Sequence, residues 1–561
     1  MRRLPAIAMI AMVATLAVAA PFPTARAQDA ATPSSAPLVR LPFPQDDGTL
    51  TPYTFELGYA LVTLVYDTLL WRDAGGVPQP WLARSVDTSP DGLRLTIRLV
   101  DDARWHDGHP VTAEDVVFTF RHVAARFHPR FTPEVAPVAG VEATGATTVT
   151  ITLEHPAPGF ADQPLADLPI LPAHLWRGLP ADSLAPDGLP VGSGPYRLVE
   201  HRPGERYRFE AFTDWFRGRP AVGAVEVPVI GDAEDTLRAL ERRDVDMLPV
   251  SLPETAVDRL DGLATRIVDG PTYSGTVLLL NVRTAPFDRP EARRAVARAL
   301  DLGQLARAVG NAVPADRGYL HPDSPWSTDE VLHRADTGAA PRELASAGVR
   351  ELEVLSPDND PVKAEAGRQV VLALERAGVR ARARSVSSDE LSAAVGEGGG
   401  TPTFQAAIWP APALASYDPD FLRRVFGSPP EDGSLNYSGY RSARFDDLAR
   451  RIASTPGRDE RRALVGEALR LLADDLPALP LLFATGSFAY RPAVYAGWVF
   501  VKGAGILDKR SFVEPSAGEP ARPVAPEAGG GGGGFPFGLA ALTVAAVAVV
   551  VGVVGLRRSR R

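Results

Sequence analysis

The sequence predicts an α/β fold built from more than one subdomain, on three observations. From Glu351 the pattern runs strand, helix, strand: Leu352 to Leu355, a helical repeat from Lys363 to Ala377, then Arg380 to Val386. That alternation predicts a mostly parallel α/β unit. Elsewhere apolar and polar residues alternate, as in Leu93, Leu95, Ile97 and Leu99 against Arg94, Thr96 and Arg98, which predicts half-buried strands. Finally, about 490 of the 561 residues lie between two tail-like ends. That is too long for one ordinary core, so two or three subdomains are expected.

The ends predict an extracytoplasmic protein. Met1-Arg2-Arg3, an apolar run from Leu4 to about Ala20, and small residues at Ala25 and Ala27 predict a secretory signal over residues 1–27. An uncleaved N-terminal anchor fits less well, because the run is short and interrupted by proline. At the other end, residues 515–534 are rich in Pro and Gly and end in the six glycines Gly529 to Gly534, which predicts a flexible stalk. Phe535 to Leu556 then form an apolar segment of the ~20 residues a bilayer core requires. Arg557, Arg558, Arg560 and Arg561 follow, and a basic cluster beside a span stays cytoplasmic. The expectation is a body over residues 28–514 on the outer face of the cell membrane. It would be held by a transmembrane helix at 535–556 with a cytoplasmic tail at 557–561. The glycine, apolar and arginine pattern also resembles surface-sorting tails that are cut and re-attached.

Composition excludes several classes. With no cysteine there is no disulfide framework, no thiolate zinc site and no lipid attachment through an N-terminal Cys. A net charge of -9 over this length makes no case for nucleic acid. Positive charge is nearly all arginine, with only Lys363, Lys502 and Lys509 as lysines, and there is no internal repeat.

In chain order, Leu57, Leu61, Val65 and Leu69 recur at helical spacing and predict a helix within Phe55 to Trp71. The turn Ser89-Pro90-Asp91-Gly92 precedes the strand Leu93 to Leu99, and Val149, Ile151 and Leu153 mark another. Between them, the stretch Ala103 to Phe120 places His106, Asp107 and His109 beside Trp105. Gly108-His109-Pro110 breaks the chain. Thr112 and Asp115 then resemble a capping box with Asp in the place of Glu, and Val116, Phe120 and Ala124 line one helical face. His106 and His109 could share a metal, but a site needs three or four ligands, and His122 and His128 complete no known spacing. A polar corner is therefore expected, with no metal and no cofactor.

Val191 to Tyr196 form a tight loop before the alternating run Tyr207, Phe209, Ala211, and Val225, Val227 and Val229 alternate again. A helix is predicted from Asp235 to Arg243. Val277 to Leu280 is continuously apolar, as a strand covered on both faces would be. Pro290 opens a helix through Leu300, Phe404 to Trp409 is a strand, Asp459 to Ala473 a helix, and Leu479 to Phe483 a last strand. Ser193 sits between glycines, but a hydrolase elbow needs glycine two residues earlier, where Val191 stands. His174 and His201 complete no triad pattern, so no catalysis is expected.

Several motifs in register carry a resemblance. Val65-Tyr66-Asp67-Thr68-Leu69-Leu70, Pro80-Trp81-Leu82-Ala83, Trp105-His106-Asp107-Gly108 with Thr112 to Val116, and Gly192-Ser193-Gly194-Pro195-Tyr196 come first. Leu280-Asn281, Arg293-Arg294-Ala295, Ala299-Leu300-Asp301, Asp418-Pro419-Asp420-Phe421, Asn436-Tyr437 and Phe445-Asp446-Asp447-Leu448 follow in order. From about Leu38 to about Phe512 the chain resembles the extracytoplasmic solute-binding proteins of peptide- and nickel-type ABC importers, family 5. The resemblance implies a two-lobed periplasmic-binding-protein-like fold of class II with an extra third subdomain. Hinged lobes would close around a central cleft. One lobe would comprise about 38–55, 188–272 and 484–512, the peripheral subdomain about 56–187, and the other lobe about 273–483. It implies capture of a small solute, a peptide among the candidates, by a single copy that delivers it to permease subunits with their ATPases.

The residues expected at the ligand are Tyr273, Trp409, Tyr417, Asp418, Asn436 and Tyr437, none of them catalytic. The family usually carries an acidic residue three positions after this tryptophan, to hold a free amino terminus. Here that position is Pro412. A blocked peptide, a sugar or another uncharged solute then becomes credible. The alternatives kept open are a membrane-anchored sensor or surface module with the same fold, and a binder of a non-peptide solute such as a sugar, metal chelate or haem.

Overall fold

The computed structural model describes residues 37–513, apart from 56–57, 129, 181–182, 250–257, 261–262, 359 and 430–434, together with Arg522–Pro523. The predicted signal, membrane helix and basic tail lie outside the described residues, as does the predicted stalk apart from 522–523. Among the described residues no helix is long and apolar enough to cross a membrane.

Two four-stranded sheets occupy the first half. In one, Leu38–Arg40 pairs in parallel with Ala224–Pro228, which continues antiparallel into Arg206–Ala211 and Tyr196–Arg202. In the other, Ala83–Thr88, Arg94–Leu99, Thr148–Leu153 and Val138–Gly145 form an antiparallel meander. The register buries Leu95, Ile97 and Leu99 and leaves Arg94 and Arg98 in solvent, as strict alternation requires.

The third sheet is larger and mixed. Its path runs Ala312–Pro314, Ala478–Tyr490, Arg266–Leu280, Ala406–Ala411, Glu351–Pro357, Arg380–Val386. Only the last three strands are mutually parallel, so the expected mostly parallel pattern is confined to the β-α-β unit. The rest is antiparallel because two long strands, 15 and 13 residues, pair with each other through most of their length. They start and finish against different cores. Ile267 and Ala489 pack with Leu237 and Leu240. Further along, Leu278 and Leu280 join one core while Val277 and Leu279 join another across the sheet. That two-sided burial is why Val277 to Leu280 reads as an unbroken apolar run. Pairing shifts register between Pro271 and Gly275, where Tyr273 adopts a positive φ of 56°.

The first helix is shorter than its periodicity suggests. It spans Tyr59–Val65, and Leu70–Arg72 is a strand. Extended Tyr66 stops it, and Gly194 donates its N–H to the Val65 carbonyl at 2.8 Å. A Cβ on Gly192 or Gly194 would collide with the Leu64–Val65 carbonyls, so the glycines in this loop serve close backbone approach.

The Trp105–Thr112 segment is the predicted polar corner. Thr112 and Asp115 form the capping box of the Ala113–Ala125 helix, and Asp115 Oδ1 also accepts from Ala173 N at 2.9 Å. His106 holds the glycine loop. Its backbone N–H donates to Gly192 O at 2.8 Å, and its Nδ1 accepts from Gly192 N at 3.3 Å. Since Nδ1 accepts, the proton sits on Nε2, which donates to Gly194 O at 2.9 Å.

Candidate functional site

The Ala406–Ala411 strand builds the site. On one side it pairs antiparallel with Gly275 to Leu280 along its length. On the other, the parallel partner reaches only Ala406 and Ala407. Among the described residues no strand covers the outer edge of Ile408 to Ala411. The strand runs two residues past its predicted end, through Pro410, which an exposed edge tolerates.

Beside this edge lies a cavity of about 60 Å³. Trp409 and Tyr437 meet at its wall, ring centroids 5.3 Å apart at 72°, an edge-to-face pair. Val277 and Leu279 supply its floor from the long strand, and Tyr319, Leu422 and Phe426 close it. None of the described lining residues is charged. Tyr437 donates its hydroxyl to Glu397 Oε1 at 3.1 Å. Burial, then that carboxylate, push the phenol's pKa up, so it stays a donor. At ~10–15 Å³ per water, the cavity has room for a side chain. A roomier groove of about 330 Å³ lies between the Leu302–Val309 and Pro361–Arg376 helices. Gln304, Gln369 and Arg376 line it, and none of its described lining residues is aromatic.

The other expected ligand residues sit elsewhere. Asn436 spends its amide on its own loop. Nδ2 donates to Gly427 O and Tyr440 O, both at 2.8 Å, and Oδ1 accepts from Gly439 N and Tyr440 N at 3.0 and 3.2 Å. It fixes the turn that presents Tyr437. Asp418 is buried in an ion pair with Arg461 and accepts from Gln163 Nε2. Gly159 lies so close to that carboxylate that a Cβ would strike it. Tyr273 and Tyr417 pack at 5.3 Å, beside the register break rather than in the cavity. Tyr273 donates to Asp323 O at 3.1 Å and Tyr417 to Lys502 O at 2.6 Å, while the Arg72 guanidinium stacks 4.5 Å above the Tyr417 ring. Gly503, at φ 87°, fits between the two rings where no side chain could. These two tyrosines thus tie the end of the body to its middle.

Tyr319, Leu422 and Phe426 were not expected at the site. Their apolar types and wide sequence spacing make them indistinguishable from core. Ser193 is fully buried, its hydroxyl 3.4 Å from Asp67 Oδ2, which places no exposed nucleophile in the glycine loop.

The di/tripeptide-binding protein 2 of Pseudomonas aeruginosa is 24% identical over 436 residues, 72% of this chain and 80% of that one. The crystal structure of the ABC transporter substrate-binding protein CtaP from Listeria monocytogenes aligns with a TM-score of 0.74 at 24% identity, covering 84% of this chain and 99% of that one. The oligopeptide-binding protein AppA from Bacillus subtilis, solved with a nonapeptide, aligns at 0.69 and 20% identity, covering 81% and 94%. These likenesses agree with the two-lobed α/β architecture expected from the sequence. Residues 77–431 match the family described as bacterial extracellular solute-binding proteins, family 5 Middle. The chain belongs to that family of extracellular solute-binding proteins.

Proposed function

We propose that the chain is the substrate-binding component of an ABC importer, capturing a peptide-like solute that carries an uncharged apolar group. The observation that carries this reading is the Trp409–Tyr437 wall standing next to an unpaired strand edge. An extended backbone can add to such an edge while one side chain enters the pocket beside it. The cavity's size suits one compact apolar group, and its described walls offer no counter-charge to a free ammonium. A blocked or otherwise neutral end is therefore favoured. Pro410 and Pro412 lack N–H donors, so backbone pairing here is sparse and the pocket carries more of the selectivity.

The lobes would be about 38–55 with 188–272 and 484–512, and about 273–483. The long strands Arg266–Leu280 and Ala478–Tyr490 would be the hinge, with residues 56–187 a peripheral subdomain. Residues 535–556 would anchor the body outside the membrane, near the permease and ATPase subunits that receive the solute. The protein acts as a single copy and alters nothing it binds.

The test begins with mass spectrometry of what copurifies under native conditions. Calorimetric titration of that solute into wild type and Trp409→Ala follows. The variant is expected to bind ~10–100-fold more weakly, about 1.4–3 kcal/mol. Its melting temperature should fall as well, because Trp409 is buried in the core, so binding is read at a temperature where the variant is folded. Equal affinity in a folded variant would remove this cavity from the reading.

A further inference from the structure

We propose that Asp107, His109 and His174 form a surface site for a borderline divalent cation of the Zn²⁺, Ni²⁺ or Cu²⁺ class, separate from the solute cavity. One ligand atom from each lies within 4.8 Å of the others. His109 Nδ1 is 3.1 Å from Asp107 Oδ1, His174 Nε2 is 2.7 Å from Asp107 Oδ2, and the imidazole centroids are 4.5 Å apart. In a tetrahedral shell with bonds of ~2.0–2.1 Å, neighbouring ligand atoms stand about 3.3 Å apart. The 3.1 and 2.7 Å contacts are already near that spacing and all three ligand atoms lie within 4.8 Å, so rotation of these side chains can seat an ion between them.

Two imidazoles and one carboxylate select this class over Ca²⁺ or Mg²⁺, which take oxygen shells. The side chains are 63%, 27% and 31% exposed for His109, Asp107 and His174, so water fills the remaining positions. His106 is not a ligand, because both its ring nitrogens are spent on the glycine loop.

The frame is held independently of the cluster. Asp115 Oδ2 accepts from Thr112 N at 2.8 Å and Oδ1 from Ala173 N at 2.9 Å. One buried carboxylate thus fixes both the corner that carries Asp107 and His109 and the Ala173–Trp176 helix that carries His174. Gly108, at φ 92°, makes the tight turn between the first two ligands. A bound cation would clip these segments together.

The experiment is calorimetric titration of ZnCl₂ into the untagged full chain in detergent at neutral pH. One equivalent should bind, and it should raise the melting temperature. His174→Ala and Asp107→Asn should each weaken binding at least ~10-fold and abolish the thermal shift. His109→Gln provides a second ligand variant should either of these fold poorly. His155→Ala, at an exposed histidine outside the cluster, and Trp409→Ala should bind Zn²⁺ as wild type does. Retention in Trp409→Ala separates this site from the solute cavity. Absence of a one-equivalent isotherm, or wild-type binding by folded His174→Ala and His109→Gln, overturns the proposal.

Discussion

Lys509→Met is expected to destabilise the protein by about 3–5 kcal/mol, because it strands a carboxylate in the core. Lys509 and Asp67 are 442 positions apart in sequence, both 0% exposed, with Nζ 2.9 Å from Oδ1. Asp67 also accepts from Trp81 Nε1 at 2.7 Å and Trp215 Nε1 at 3.1 Å. The ammonium lies 4.1 Å from the Trp71 ring centre and 4.9 Å from that of Trp81. Burial pulls the lysine's pKa down, with the Asp67 charge opposing it. The Asp67 carboxylate therefore offsets part of the cost of burying the ammonium. Removing the lysine leaves Asp67 with three neutral donors and no cation. The double variant Asp67→Asn, Lys509→Met removes both charges and should recover a large part of the loss. A coupling of at least ~2 kcal/mol is expected in the double-mutant cycle, read from denaturant unfolding. A single-variant cost below ~1 kcal/mol would mean that water reaches the pair.

This ion pair marks the boundary of what sequence can say. Local order was legible where the signal was periodic. Alternation placed the Arg94–Leu99 strand, and Thr112 with Asp115 located a helix start to the residue. Periodicity also overran, since Leu69 keeps helical phase yet lies beyond the helix, where the glycine loop packs against Val65. Long-range pairing leaves no local trace. Nothing near Lys509 announces Asp67, and nothing near His109 announces His174. The six expected ligand residues divide for the same reason. Residue type says what Asn436 and Asp418 can bond, not that Gly427 and Arg461 are already there. Trp409 and Tyr437 do reach a cavity, but Leu422 and Phe426 beside them are chemically ordinary core.

His106→Gln is expected to show a stability deficit that shrinks as pH falls. Burial lowers the His106 pKa from 6.5 to about 4, with Arg197 acting in the same sense and the bond to Gly194 opposing. The sign follows from linkage. A histidine whose folded value is depressed contributes stability that is complete above the unfolded value of ~6.5. It is lost as pH drops toward the folded value, because the unfolded chain takes up the proton first. Between neutral pH and about pH 4.5 the loss is about 2 kcal/mol from this residue. A glutamine has no proton to gain, so its deficit relative to wild type should narrow by about that amount over the same window. Comparing the two proteins is necessary because other groups oppose this slope. Burial raises Asp162 to about 6, with Arg72 countering, and a raised carboxyl stabilises the fold as pH falls through that region. The difference between wild type and variant cancels Asp162 and isolates His106. Chemical denaturation at several pH values provides the readout. A deficit that stays constant from neutral pH to about pH 4.5 would mean that folded His106 takes up its proton as readily as the unfolded chain does. At the acid end of that window the glycine loop would then rest on an imidazolium rather than on the neutral ring whose Nδ1 accepts from Gly192.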